Sequence, residues 1–343
     1  MLCCTAVLYG ARIFAKGPDL FLRRRVPENG PLKAAVIGAG AFGRHHATKY
    51  RALAEAGQNI QLFAIADPSA DVRRAAPPGV LAVADWRELL GKVDLVSICS
   101  PAVTHAEIVR AFLNAGAHVL VEKPIATTVE EANALVTLAR RTGLVLTVGH
   151  QERFVFARTG LLDQAETPLE IHCWRRGPWT GRGDDVSAVL DLMIHDLDLV
   201  HTLVDSPVSE VRARGITQYG PHADEVSATL TFANGTVARL DTSRIAETRK
   251  RGLRAVYADG VIEIDFLTRS VTNTTPRPLA ALEMGDPLGE SVASFVTAVA
   301  GGSAPLVLAE QARLALQTAI RIDDAVEAAL PAAKPTVMGR AVA

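Results

Sequence analysis

Lys33–Gly43 reads KAAVIGAGAFG, an apolar run that passes without a break into three glycines, Gly38, Gly40 and Gly43. A short continuous apolar run is the pattern of a strand buried on both faces. A glycine triple alone arises by chance. Here it follows a predicted strand and opens a predicted helix, Arg44–Ala56, which is the context of a dinucleotide-binding turn. The glycines allow the tight turn, the close approach of a pyrophosphate and the packing of helix on strand. The helix amino-terminus then offers partial positive charge to the phosphates. Gly38, Gly40, Ala41, Phe42 and Gly43 are therefore predicted cofactor contacts. Asp67 ends the next predicted strand, Ile60–Ala66, about 20 residues on, where a carboxylate accepts the ribose hydroxyls. A 2′-phosphate beside it costs on the order of 4 kcal/mol per unit charge at ~4 Å. NAD is expected rather than NADP; Arg73 and Arg74 nearby are the residues able to reverse that by neutralising a phosphate.

The alternation continues downstream. Val80–Ala84, Val93–Cys99, His118–Val121 and Leu144–Val148 read as strands. Between them lie helical stretches at Trp86–Leu90, capped by Asp85, at His105–Ala115, capped or begun by Thr104, and at Val129–Thr142. Strands alternating with helices predict a doubly wound parallel sheet. Ligands sit beyond the carboxyl ends of such strands, so Ser100 and Pro101 are expected under the nicotinamide half of the cofactor. His105 is read as a contact to the nicotinamide ribose, with a plain helix cap as the alternative.

After Gly149–Phe154 (GHQERF) the periodicity changes. Leu169–Arg175, Val208–Thr217, Val226–Phe232, Thr236–Ser243, Leu253–Ala258 and Val261–Phe266 read as strands. Asn234-Gly235 and Asp259-Gly260 mark tight hairpin turns. An antiparallel sheet is expected, closed by helices at Pro287–Ala300 and Leu308–Ala329. Between the first two strands lies Val189–Val204, VLDLMIHDLDLVHTLV, apolar at steps of three and four and so a helix. Its apolar residues cover most of the circumference, which predicts burial. Asp191, His195 and Asp198 share one strip of it, and charges on a buried helix must be paired or face a wet cleft. Asp184 or Asp185 is expected to cap it. His201 points elsewhere, so a metal site built from Asp191, His195, Asp198 and His201 is disfavoured, and no metal is expected.

Composition bounds the function. The chain has 343 residues, 49% hydrophobic and 21% charged, with net charge −1; a large soluble core is expected, and a nucleic-acid binder is not. No apolar run is long enough to span a membrane. The four cysteines form no CxxC pair, which is cytosolic usage and predicts a cytoplasmic protein. The predicted organisation is a disordered leader or mis-assigned start at 1–30, an NAD-binding Rossmann domain at 31–152, a substrate and oligomerisation domain at 153–330 and a loose tail at 331–343.

GAGAFG, the Ser100-Pro101…His105 turn, Glu122-Lys123-Pro124 and the helical Asp191-x-x-x-His195, in that order, resemble the glucose–fructose oxidoreductase/inositol dehydrogenase (Gfo/Idh/MocA) family. The resemblance covers about residues 33–330. It implies a Rossmann domain joined to a C-terminal α/β domain with an open, mainly antiparallel sheet. It implies a homodimer or homotetramer formed through that sheet. It places Lys123, Asp191 and His195 around the reacting hydroxyl, with Glu122 and Lys123 also beside the cofactor. GHQERF, Arg182–Val200 and Ser243–Arg254 resemble a narrower group that oxidises the 3-hydroxyl of UDP-N-acetylglucosamine on the way to amino-sugar lipid A. Val155 departs from that group, where asparagine is expected after Phe154.

The chemistry follows from the residue types. Oxidising an alcohol needs a base for its proton and a group that stabilises the developing alkoxide. A lysine must fall about three units from ~10.4 to act near neutrality, whereas histidine starts near 6.5. His195 is therefore read as the base and Lys123 as the group that holds the hydroxyl, with the reverse assignment left open. Asp191 orients the site, coupled to His195 four residues on, and Asp198 is structural. A sugar nucleotide carries a pyrophosphate that calls for arginine forks. Of Arg153, Arg175, Arg176, Arg182, Arg244 and Arg254, the expected substrate contacts are Arg153, Arg182 and Arg244. The alternatives are a dehydrogenase of a free sugar or polyol such as inositol, and an NAD-sensing binding protein without turnover.

Overall fold

The computed structural model describes residues 30–163, 166–181, 186–283 and 285–329. The expected leader and tail, and Arg182, Asp184 and Asp185, lie outside these residues. Strands β1 (Leu32–Ile37), β2 (Ile60–Ala66), β3 (Leu81–Val83), β4 (Leu95–Ile98), β5 (His118–Val121) and β6 (Leu146–Val148) form one sheet. Its order is β3-β2-β1-β4-β5-β6, and every pair is parallel. The strand order reverses between β1 and β4, which opens the crevice where a dinucleotide lies. On one face, α3 (His105–Asn114) and α4 (Val129–Thr142) bury Phe112, Leu113, Leu135 and Leu138. On the other, α1 (Ala41–Glu55) buries Tyr50, and the short helix α2 (Ala70–Arg74) follows β2. Such strands are buried on both sides because right-handed crossovers put helices on both faces.

The second sheet is built from β7 (Glu170–Arg176), β8 (Val208–Ile216), β9 (Glu225–Phe232), β10 (Val237–Ser243), β11 (Lys250–Tyr257), β12 (Gly260–Asp265) and β13 (Ser270–Asn273). Its order is β13-β12-β11-β7-β10-β9-β8. All neighbours are antiparallel except β7 and β10. That parallel pair departs from the antiparallel expectation because the central helix and a hairpin lie between the two strands and return the chain in the same direction. Every second residue of β9 is buried, from Val226 to Phe232, so one face carries the core and the other does not.

The central segment is not a uniform α-helix. Val189–Met193 forms a π-helical turn, and α6 (Ile194–Leu203) continues from it. Single π turns collect at functional sites. Ala188 holds the cap position, and the Ser187 hydroxyl accepts from the Leu190 amide at 3.2 Å. The cap expected at Asp184 or Asp185 falls outside the described residues; among those described, the cap position is Ala188. The helix α5 (Glu152–Thr159) leads from β6 into the second domain. At the far end of the chain α7 (Pro287–Val299) packs back on the first sheet, adding Val292, Phe295 and Val296 to the cluster that holds Tyr50. The last helix, α8 (Ala309–Ala329), packs on α6, α4 and β8. The two lobes thus share a continuous core.

Candidate active site

The glycine turn has the shape that a pyrophosphate needs. Gly38 has φ +80, and a Cβ there would lie 2.7 Å from the Ser100 amide nitrogen. Gly40 sits at the cap of α1 with no side-chain cap, so the first-turn N–H groups are available to an anion. Asp67 is buried at the end of β2, and its Oδ1 accepts from the Ser69 amide at 2.9 Å. Arg73 donates to the carbonyls of Asp67 and Pro68, at 2.8 and 2.7 Å, and Arg74 pairs with Asp71. Both arginines are engaged, and neither is set to neutralise a 2′-phosphate. The residues present fit NAD.

The loops after β4 and β5 are tied together by His105. Its Nδ1 lies 2.7 Å from the Pro124 carbonyl oxygen and its Nε2 2.9 Å from that of Ser100. At 1% exposure, with each ring nitrogen facing a backbone carbonyl and one of them able to donate in the neutral ring, His105 does not reach a ribose; it is a cross-brace and not the expected ribose contact. Ser100 hydrogen-bonds Thr104 at 2.7 Å, which keeps the turn compact beside Gly38. Glu122 accepts from His46 at 3.0 Å and from Gln151 at 3.2 Å. A Cβ at Gly149 would sit 2.6 Å from its carboxyl carbon, so the backbone runs close against this carboxylate.

A cleft opens between the lobes, lined by Phe42, Glu122 and Lys123 from the first and Glu152, His195 and Arg251 from the second. Lys123 Nζ donates to the backbone carbonyl of Asp191 at 2.7 Å and to its Oδ1 at 2.9 Å. The π turn presents both oxygens to the lysine. His195 Nδ1 lies 3.8 Å from Glu152 Oε1. Burial pushes the imidazole well below its ordinary value, with Glu152 opposing, so the ring is neutral and able to accept a proton. Burial favours the neutral form of Glu152, but Arg175, His195 and Arg251 outweigh it and hold the carboxyl well below its usual range.

Comparison with known proteins agrees with this geometry. Residues 32–150 match the model of the oxidoreductase family with an NAD-binding Rossmann fold, and residues 163–263 match that family's C-terminal domain. The chain belongs to the GFO/IDH/MocA family. Its first domain is an NAD-binding Rossmann domain. A UDP-N-acetylglucosamine 3-dehydrogenase of Acidithiobacillus ferrooxidans is 34% identical over 87% of this chain and 98% of its own, and a solved structure of that enzyme superposes with a TM-score of 0.80. An inositol 2-dehydrogenase of Paenarthrobacter aurescens is 29% identical over 82% of this chain and 91% of its own. The scyllo-inositol dehydrogenase of Lactobacillus casei, solved with NAD(H) and scyllo-inositol, shares the fold at 20% identity, over 87% of this chain and 97% of its own, with a TM-score of 0.72.

Within this GFO/IDH/MocA framework several expected contacts fall elsewhere. Arg153 is 2% exposed. Its Nε donates to Asp198 at 3.0 Å, its Nη2 pairs with the same carboxylate, and its Nη1 reaches Gln311 at 2.5 Å. It is a buried structural ion, not a substrate contact, because the next residue on α5 faces away from the cleft. Arg244 is also buried, held by Asp224 and by the Val186 carbonyl, and lies over the Trp179 ring; it does not line the cleft. Arg182 lies outside the described residues. Asp191 is engaged by Lys123, and the group facing His195 is Glu152. Asp198, read from the sequence as supporting the site or the fold and not touching substrate, is buried in the pair with Arg153. His201 bonds Thr318 at 2.8 Å, and among the described residues no group of three His, Cys, Asp or Glu is placed to hold a metal. Sequence reasoning missed Glu152 and Arg251. Both stand inside quoted motifs, but their value depends on a neighbour more than 20 residues away. Among the described residues no helix is long and apolar enough to cross a membrane.

Proposed function

We propose that this protein is an NAD-dependent dehydrogenase that oxidises the 3-hydroxyl of UDP-N-acetylglucosamine to the 3-keto sugar, a step toward a 3-amino sugar for lipid A. One observation carries the chemistry: Lys123 from one lobe and His195 from the other line a single cleft. Bound NAD supplies the hydride acceptor. Lys123 has three N–H donors; two are spent on Asp191, and the third holds the substrate hydroxyl. As the carbinol carbon gives up its hydride, the hydroxyl proton passes to neutral His195, and Lys123 stabilises the oxygen through the transfer. The product is the ketone with a protonated His195.

The substrate assignment is supported by the 34% identity and matched length of the Acidithiobacillus enzyme. Arg251 is the described arginine that lines the cleft, and it replaces Arg153 and Arg244 as the cation offered to an anionic substrate. The relation to inositol dehydrogenases sustains one second reading, a free polyol as substrate. The outer face of the second sheet, with Trp174 over Gly252 and His172 on Asp241, is the surface for a homodimer or homotetramer. Cys99 and Cys173 are free thiols, in keeping with cytoplasmic action.

The test incubates purified protein with NAD and UDP-N-acetylglucosamine, adds an aminotransferase as keto-sugar trap, and follows NADH and product mass. His195→Asn is expected to abolish product while NAD still binds. Undiminished turnover removes the base assignment. Thermal protection by inositol, but not by the UDP-sugar, in the presence of NAD selects the polyol reading.

A further inference from the structure

His195 is surrounded by charge from four directions. Lys123 faces it from the loop after β5, His150 from the end of β6 with ring centroids 6.0 Å apart, Arg175 from β7, and Glu152 from the start of α5. Glu152 alone among these described neighbours is an anion. Asp191, on the helical segment that carries His195, is taken by Lys123. His195 Nδ1 is buried and has no hydrogen-bond partner at shorter range. The Glu152 carboxylate is fixed by others: Arg175 donates to both of its oxygens, at 2.8 and 2.5 Å, and Arg251 pairs with Oε1. Asp196 holds the same Arg175 from behind, at 3.1 and 2.6 Å. Catalytic hydrogen bonds are often long before substrate binds and close when it does.

We propose that Glu152 is the positioning residue of His195: its carboxylate selects the tautomer with the proton on Nδ1, which leaves Nε2 to accept the substrate proton, and it supplies the counter-charge once the ring is protonated. This rests on His195 being the base. Without Glu152, a proton arriving on the ring meets Lys123, Arg175 and His150 and no anion. With it, the Nδ1–H points at an acceptor in both states of the ring, and only Nε2 changes. The ordering of the motifs points away from this pairing, since the helix offers His195 a carboxylate closer in sequence, Asp191, four residues back.

The experiment uses the full chain with 15N-labelled histidine, His195→Asn identifying the His195 signals. In the wild-type protein at neutral pH the ring is expected as the Nδ1–H tautomer; an Nε2–H ring overturns the proposal without any variant. Glu152→Gln is expected to lower kcat for NAD reduction by about tenfold or more. It also shifts the titration of His195 and the acid limb of kcat/KM to lower pH by about one unit or more. The sign follows from charge: a base must be neutral, the limb rises through its pKa, and loss of an adjacent anion lowers that pKa. Glu152→Asp keeps the charge and is expected to hold both titrations near the wild-type position. A His195 titration unmoved in Glu152→Gln rejects the role of Glu152. Turnover retained in His195→Asn instead rejects the base itself, so the two failures are told apart.

Discussion

Neighbouring residues of α5 and α6 enter two separate carboxylate–guanidinium sets, Arg153 with Asp198 and, through Arg175 of β7, Glu152 with Asp196, and the two have opposite uses. Arg153 and Asp198 are 2% and 1% exposed in their side chains and close on each other, and Arg153 also reaches Gln311, so the pair is sealed between α5, α6 and α8. Glu152, Arg175 and Asp196 are 11%, 10% and 7% exposed, and Glu152 forms part of the cleft wall. The cause is helical geometry. Glu152 and Val155, three residues apart, share a face, and both line the cleft; Arg153 is rotated by about 100° from Glu152. A single step along the chain separates an ion that ties α5 to α6 and α8 from one that can serve the reaction.

The strongest way to break this contrast is Arg153→Ala. Removing one member of a sealed pair leaves an uncompensated buried charge, with a cost of about 3–5 kcal/mol. Denaturant unfolding is expected to show that loss, with the dissociation constant for NAD little changed. Replacing both Arg153 and Asp198 by apolar residues of similar volume recovers most of it. A variant that stays stable but loses affinity for the sugar nucleotide reverses the roles assigned to the two sets.

Lys123→Ala is the complementary case. The Lys123–Asp191 pair is 21% and 30% exposed in its side chains and borders solvent, so its loss costs no more than about 1 kcal/mol of stability. Turnover is expected to fall by about 10²–10³, the range for losing a donor that stabilises developing negative charge. Stopped-flow formation of NADH and a thermal melt on the same sample check both halves. A large stability loss with modest kinetic change makes Lys123 a structural ion like Arg153.

Much of this molecule is legible in its sequence because the signals are local. Ile60–Ala66, His118–Val121 and Val129–Thr142 fall where periodicity and caps place them, and the glycine turn reports its own geometry. The first domain's motifs also act within a few residues of themselves. Charge partners do not. Whether Arg153 or Glu152 faces the cleft depends on the phase of an eight-residue helix, and a shift of one residue exchanges them. The π turn at Val189–Met193 is invisible to a period of 3.6. The parallel pairing of β7 with β10 depends on where an intervening helix returns the chain. Two local clues to Glu152 were present: an acid opening a helix directly after a buried strand, and arginines at Arg175 and Arg251 on strands due to pair. Those strands do place Arg251 opposite Arg175.

Arg251→Met sharpens the contrast on the substrate side. The arginine lines the cleft, lies over Phe266 and leaves its Nε without a partner. Methionine keeps the packing of the stem and removes the charge. KM for an anionic sugar nucleotide is expected to rise about tenfold, equivalent to ~1.4 kcal/mol, with stability changed by less than Arg153→Ala changes it. An equal rise for an uncharged polyol assigns Arg251 to holding Glu152 rather than to the substrate.

The smallest effect tests the face itself. Val155 is 2% exposed yet borders the cleft, one helical turn from Glu152. Val155→Thr keeps the shape and adds one hydroxyl, which on a helix can bond to the carbonyl four residues back. A hydroxyl facing the cleft also finds water or a sugar oxygen, so the stability cost is expected at about 1 kcal/mol or less. The same hydroxyl turned into a dry core and left unpaired costs about 1–3 kcal/mol. The two cases separate further when substrate is added: a cleft-facing threonine changes the thermal shift given by the UDP-sugar, and a core-facing one does not. If Val155→Thr lowers stability by several kcal/mol and leaves that shift untouched, then α5 is rotated from the phase that sets Glu152 toward His195, and the division between the two ion sets falls with it.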